Sequence, residues 1–174
     1  ITGNTVYANP VGVYITNSGS NPLVSNNLIY ANASYGLVLN AISTAQILNN
    51  TLYQTMGDAL LLQGSSTGVS LRNNIFWVDA GHAINVANDS QNGFNSDYNL
   101  FYLTGSGQLA RWQGTDRLTL SAWRSAAFTD RNSVATDPLF VAPAGADGVL
   151  GLSPVILDQG AAVLTGSWTT VASG

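Results

Sequence analysis

The sequence predicts an all-β fold of short strands wound into about five stacked coils, and three observations carry that prediction. An asparagine recurs at Asn4, Asn27, Asn50, Asn74 and Asn99, in steps of 23, 23, 24 and 25 residues. The residues around it recur with it, as ITGNTVY, VSNNLIY, ILNNTLY, LRNNIFW and SDYNLFY. A second block, VGVYI, YGLVL, DALLL and HAINV, follows the first four copies, beginning 7 residues after the first asparagine and 8 after the other three. A repeat of this period is one supersecondary unit stacked on itself, because so short a unit cannot bury an apolar face alone.

Sorting the aligned columns by their tolerance of polar residues gives the strands in order. The first strand of each unit carries Ile1, Val24, Ile47 and Leu71, and the second carries Val6, Ile29, Leu52, Phe76 and Phe101. The third strand has two apolar columns: Val13, Leu37, Leu60 and Ile84, then Ile15, Leu39, Leu62 and Val86. Between these two lies the mixed column Tyr14, Val38, Leu61 and Asn85. That alternation is the period of two expected of strands. Helices do not fit, since turn signals such as Asn-Asn and Gly-Ser-Ser-Thr-Gly interrupt every few residues. Three strands per unit, one rung about 4.8 Å above the next, make a parallel β-helix. The asparagine column is placed at the tight corner between the second and third strands. There asparagine takes up a left-handed backbone, and its amide can bond to the asparagine of the next rung.

After Tyr102 the repeat breaks. Thr119 is expected to cap a short helix, Leu120 to Ala127, with Trp123 and Phe128 on its buried side. Asp137-Pro138 opens an extended stretch, and residues 142–148 read as a loop. Residues 104–174 are therefore expected to wrap or cap the C-terminal end of the coils of residues 1–103, within the same domain. Trp112, Trp123 and Trp168, outside the repeat, read as core or cap. At the other end Ile1 begins on a rung without a capping segment. The expectation is a processed or truncated chain, with further coils or another molecule covering that end.

These units resemble those of right-handed parallel β-helix proteins, the pectate-lyase-like superfamily, through the I-x-N-N-x-[IL]-[YW] and G-x-x-[IL] blocks of residues 1–103. Downstream, SDYNLFY at 96–102, LTLSAWRSAAFTD at 118–130, NSVATDPLF at 132–140 and SPVILDQGA at 153–161 are similar to the C-terminal end of many secreted bacterial members. The resemblance implies the fold and the place in the chain. It implies no single activity, since the superfamily holds lyases, epimerases, hydrolases and inert fibres.

Composition narrows the partners. The chain has 174 residues, 45% of them hydrophobic, and only 8% charged, against an ordinary level of about 25%. There is no Lys, Glu or Cys, and the formal net charge is -4. The absence of a basic cluster argues against nucleic acid or anionic lipid as a partner. Without cysteine there is no disulfide framework or thiolate metal site. No run of about 18 apolar residues exists to span a membrane. A neutral surface rich in Asn, Thr and Gly suits an extracellular or cell-surface protein.

Two outward columns are candidates for function. The first is Val11, Tyr35, Asp58 and His82, where the last three precede small residues and so stack on successive rungs. An aspartate beside the only histidine can hold its tautomer and raise its pKa, and a tyrosine beside both can exchange a proton. Asp79 lies in the turn of His82. Arg72 lies on the same rung, on its second strand and away from the column. The β-helix lyases and epimerases that the chain resembles act on uronate sugars with such groups, an Arg or Lys neutralising the carboxylate. Against this, the coils hold one arginine and no lysine, and polar residues are ordinary at a solvated turn.

The second column is Tyr7, Tyr30, Tyr53, Trp77 and Tyr102, each beside a strictly apolar position and hence outward. Two readings stand open: a platform for sugar rings or a protein surface, or rings stacked on one another or lying under the segment after residue 104. Gly64-Ser65-Ser66-Thr67-Gly68 matches G-x-S-x-G by chance, because a strand and not a helix follows it. No cofactor is expected; Asp89, Asp97 and nearby carbonyls could hold Ca²⁺, but no loop carries the ligand spacing of a dedicated site. Asn32, Asn49 and Asn88 head formal glycosylation sequons. The reading is a secreted or surface β-helix module, structural or contacting a polysaccharide or surface protein. The alternative is a fragment of a polysaccharide lyase, epimerase or glycoside hydrolase.

Overall fold

The computed structural model describes residues 1–16, 21–141 and 143. Rung by rung, the strands are β1 (Thr5–Tyr7) and β2 (Val11–Thr16), then β3 (Leu23–Ser25), β4 (Leu28–Tyr30) and β5 (Tyr35–Asn40). There follow β6 (Gln46–Leu48), β7 (Thr51–Gln54) and β8 (Asp58–Gln63), then β9 (Ser70–Arg72) and β10 (Ile75–Val86), then β11 (Asn95–Asp97) and β12 (Leu100–Trp112). Every one of these pairs in parallel with its counterpart on the neighbouring rung. One sheet is β3-β6-β9-β11, and the other runs β1-β4-β7-β10 and β2-β5-β8-β10 before β12. The result is a parallel β-solenoid of about four turns, close to the five coils that the repeat predicts.

The strictly apolar columns face inward. Val24, Ile47 and Leu71, Ile29, Leu52, Phe76 and Phe101, and Leu37, Leu39, Leu60 and Leu62 are all buried in one core cluster. Phe76 and Phe101 stack at 5.5 Å, so like sits on like along the axis. Each such side chain contributes about 1.5–3 kcal/mol by leaving water. In the mixed column Val38 and Leu61 are also buried, though outside that cluster.

The corners differ from expectation. The asparagine column lies between the first and second strands of each unit, as Asn27 does between β3 and β4. The left-handed residue is the one before it: Asn26, Asn49, Asn73 and Tyr98, with φ of 55°, 57°, 57° and 58°. The asparagine of the column instead turns inward and is buried, because its amide serves the core better than the turn. Each donates from Nδ2 to Oδ1 of the next, at 3.0, 2.9, 3.0 and 3.1 Å from Asn4 through Asn99. The backbone N–H of each also donates to that Oδ1. The expected ladder is therefore present, one corner earlier.

Two further ladders hold the other corners. Between the second and third strands, Asn9 N–H donates to Asn32 Oδ1 and Asn32 N–H to Gln54 Oε1, both at 3.1 Å. At the remaining corner Ile42 N–H donates to Ser66 Oγ and Ser66 N–H to Ser90 Oγ. This is the role of the Ser66 in the G-x-S-x-G match. The second-to-third corner then disappears, since β10 and β12 run through it as single strands, with a register shift between Val78 and Ala80.

The cap is built from the unrepeated segment. β13 (Thr115–Arg117) folds back on β12 through a turn at Gln113 and Gly114, both left-handed. The helix α1 (Leu120–Ala127) follows, and Thr119 Oγ1 caps it by accepting from Ala122 N–H at 3.2 Å. Trp123 is buried against Trp112 and Phe94. Phe128, expected on the buried side, is 81% exposed, because it occupies the left-handed position that ends the helix and points its ring away. Finally β14 (Val134–Ala135) pairs with Leu100 and Phe101 of β12.

The asparagine ladder ends on this cap. Asn99 Nδ2 donates to Asp130 Oδ1 at 3.1 Å, and Trp123 Nε1 donates to Asp130 Oδ2 at 2.7 Å. All these elements lie within one compact unit, Ile1–Pro138. Trp168 and most of the expected loop at 142–148 fall outside the described residues. Among the described residues, no helix is long and apolar enough to cross a membrane.

Candidate functional site

The first column forms as the repeat implies. Val11 pairs with Tyr35 and Tyr35 with Asp58, while His82 pairs onward with Gln108. Gly36, Ala59 and Ala83 follow the column inside β5, β8 and β10, and left-handed Gly57 and Gly81 precede Asp58 and His82. Asp58 and His82 are joined twice: Oδ1 accepts from His82 N–H and lies 2.8 Å from His82 Nδ1. Asn85 Nδ2 donates to Asp58 Oδ2 at 2.8 Å. The other imidazole nitrogen, Nε2, lies 3.1 Å from Asp116 Oδ1 on β13, and Arg111 Nη1 stands 3.6 Å from the same oxygen.

Burial pushes the Asp58 carboxyl up, but the hydrogen bonds from His82 and Asn85 outweigh it and hold the pKa below the ordinary value. The hydrogen bond to Asp58 raises the His82 pKa, burial opposes it, and Asp116 adds to the rise. The pair that the sequence singles out is real. Tyr35 keeps its place in register, but the hydrogen bonds of Asp58 go to His82 and Asn85.

Asp79 and Arg72 belong elsewhere. The Asp79 carboxylate faces the aromatic column: Tyr53 Oη donates to it at 3.0 Å and Trp77 Nε1 at 3.1 Å, and Thr104 Oγ1 donates to it as well. Arg72 lies on β9, the first strand of its unit, where its guanidinium sits 4.3 Å over the Tyr98 ring. The expected place on the second strand is corrected by the same one-corner displacement that moves the asparagines.

The second column is a ladder of half-buried rings. Tyr7 stacks on Tyr30 at 5.2 Å, Tyr53 on Trp77 at 3.9 Å, and Trp77 meets Tyr102 at 5.2 Å with a tilt of 55°. Two pairs of rings therefore stack face to face, Tyr7 with Tyr30 and Tyr53 with Trp77, and Tyr102 meets Trp77 at a tilt. Burial and the Asp79 hydrogen bond push the Tyr53 phenol up to about 12. Tyr102 hydrogen-bonds Asp137.

The residues missed by sequence reasoning are Asp116, Arg111 and Thr104, all from the unrepeated segment. The signal for Asp116 is Gly114, a glycine between RWQ and TDR that readily takes the left-handed turn position bringing Asp116 back beside Arg111. Asp89 accepts from Ser90, and Asp97 accepts from Tyr98 N–H and from Asn132. Among the described residues, no three His, Cys, Asp or Glu side chains converge as a metal site. Of the sequon asparagines, Asn32 is buried in its ladder and Asn49 and Asn88 are exposed.

Residues 1–99 match the family model described as the right handed beta helix region. No curated protein and no solved structure matches the chain.

Proposed function

The chain belongs to the right-handed β-helix family, and on that footing we propose that it is a non-catalytic module of the extracellular or cell-surface space. Its contact face is the column Tyr7, Tyr30, Tyr53, Trp77 and Tyr102, and its partner is a polysaccharide or another surface protein. One observation carries this reading: the ionisable groups of both columns are already committed to neighbours. A general base needs a free atom within reach of a substrate proton. Both His82 nitrogens stand at carboxylates, and both Asp58 oxygens accept within the protein. Asp79 is engaged by Tyr53, Trp77 and Thr104.

The face offers half-buried rings on successive rungs, with the Tyr7 and Tyr30 hydroxyls outside the Asp79 cluster. A row of that kind suits a hydroxyl-rich chain lying along the axis, through apolar ring surface and hydrogen bonds. The test is a glycan array on the intact protein, with and without Ca²⁺, beside a turnover panel. The expected result is binding without turnover, weakened several-fold by Tyr7→Ala or Tyr30→Ala at an unchanged unfolding midpoint. Turnover abolished by His82→Ala would overturn the reading.

The alternative, a polysaccharide lyase, epimerase or hydrolase fragment, is favoured by the 2.8 Å Asp58–His82 contact, the geometry of a base held by a carboxylate. It requires Asp116 to surrender Nε2 to substrate. Under that reading Asp116→Ala raises turnover, and under the module reading it produces none.

A further inference from the structure

We propose that His82 is a pH-operated clasp fastening the β12–β13 hairpin to the coil stack, closed while both ring nitrogens carry hydrogen and released from Asp116 when one is lost. The three groups come from separate elements: Asp58 from β8, His82 from β10 and Asp116 from β13. Among the described residues, His82 is the only side chain that touches both carboxylates. Its ring is largely enclosed, with 13% of the side chain exposed, whereas Asp116 is 41% exposed.

A doubly protonated imidazole donates at both ends, Nδ1 to Asp58 and Nε2 to Asp116. A neutral ring has a single N–H, so one end must turn a lone pair toward a carboxylate. The Asp58 end keeps the proton, because that carboxylate is the more buried and is fixed by His82 N–H and Asn85. The Asp116 end is therefore the one that opens, leaving Asp116 with Arg111 at 3.6 Å. The other groups around the ring do not replace the lost contact. Arg111 on β12 and Arg117 on β13 are cations and Gln108 on β12 is neutral. Tyr35 lies one rung further along the column beyond Asp58, and Asp79 on the same strand is taken by Tyr53 and Trp77.

The direction with pH follows. The folded pKa of His82 lies above its unfolded value of about 6.5, so the clasp is fully closed below that value and is lost as pH rises through the folded pKa. At the acid end Asp58 has a lowered pKa, so its half of the clasp persists above the carboxylate range and fails only as pH falls through that depressed value. Between these limits the hairpin is held. Above them β13 loosens from the Ala110–Trp112 edge of β12. This inference is independent of what the ring face binds.

With one histidine in the chain, a single imidazole titrates, and NMR reads its midpoint without assignment ambiguity. Amide hydrogen exchange at Thr115–Arg117, corrected for intrinsic base catalysis, is measured across the same range. Protection there should fall roughly threefold to fivefold as His82 deprotonates, the size of effect an exposed ion pair exerts. Protection at β7 should hold. Asp116→Asn should lower the His82 midpoint and flatten the pH dependence at β13, and His82→Gln should flatten it with the core ladder intact. An imidazole that titrates while β13 protection stays constant, or a midpoint unmoved by Asp116→Asn, overturns the clasp.

Discussion

The asparagine ladder and the His82 cluster stand on the same rungs and use the same contact, side chain to side chain along the axis. One is neutral and repeats; the other is charged and occurs once. An amide carries donor and acceptor together, so Asn27 receives from Asn4 and passes the same bond to Asn50, and nothing in the chemistry ends the series. A carboxylate only accepts. Donors converge on it, and a ladder that meets one stops. Asp130 ends the asparagine series, Asp79 gathers Tyr53, Trp77 and Thr104, and Asp58 gathers His82 and Asn85. A chain with nine carboxylates thus places several of them where its repeat changes or ends.

The sharpest way to break that distinction is to exchange the two groups. Asn50→Asp puts an acceptor-only group inside the ladder. It still receives from Asn27, but it faces Val24 O and Asn74 Oδ1 with nothing to donate, and it buries a charge. A loss of about 3–5 kcal/mol is expected in urea denaturation. The reciprocal Asp130→Asn keeps one acceptor oxygen but turns an NH₂ toward either Trp123 Nε1 or Asn99 Nδ2. It should cost about 2 kcal/mol, and less than the first exchange. Equal losses would mean that position in the ladder does not matter.

The same contrast explains how much could be read from the sequence. Five copies of the unit average out the noise at each position, so the inward columns and the Asp58–His82 juxtaposition were legible from which residues each column tolerates. The corner itself was not. A run of two asparagines does not say which one turns the backbone and which one enters the core, and the structure gives the turn to Asn49 and the core to Asn50. Arg72 shifted with that error. Asp116, Thr104 and Asp130 each occur once, on segments whose path over the coils depends on tertiary packing. No column existed to reveal them.

Asp79 tests the termination idea at lower energy. With burial and the Asp79 hydrogen bond both opposing ionisation, the Tyr53 phenol holds its proton to about pH 12. Its folded pKa is above the unfolded value of about 10, so its contribution to stability is complete below 10 and fades as pH rises through about 12. Alkaline titration followed by phenolate absorbance should reveal this late phenol. Asp79→Asn should bring it down while burial keeps it above the ordinary value. Tyr53→Phe removes the hydrogen bond and should cost about 1 kcal/mol. A phenol unmoved by Asp79→Asn would detach the ring column from its carboxylate.

The smallest effect is expected where neither kind of ladder reaches. Phe128 ends α1 in a left-handed conformation, φ 55° and ψ 35°, and donates its N–H to Arg124 O at 3.0 Å. A residue with a Cβ is disfavoured there by about 1–2 kcal/mol, and glycine is the usual occupant of such helix ends. Because the ring is 81% exposed, replacing it removes almost no packing. Glycine loses more backbone freedom on folding, which offsets roughly 0.5–1 kcal/mol of the relief. Phe128→Gly should therefore leave the cap unchanged or stabilise it by about 0.5 kcal/mol, measured as a small rise in the urea midpoint. A clear loss would show that the Phe128 ring is held by a contact, and that the cap is fastened at a point beyond Asp130 and Trp123.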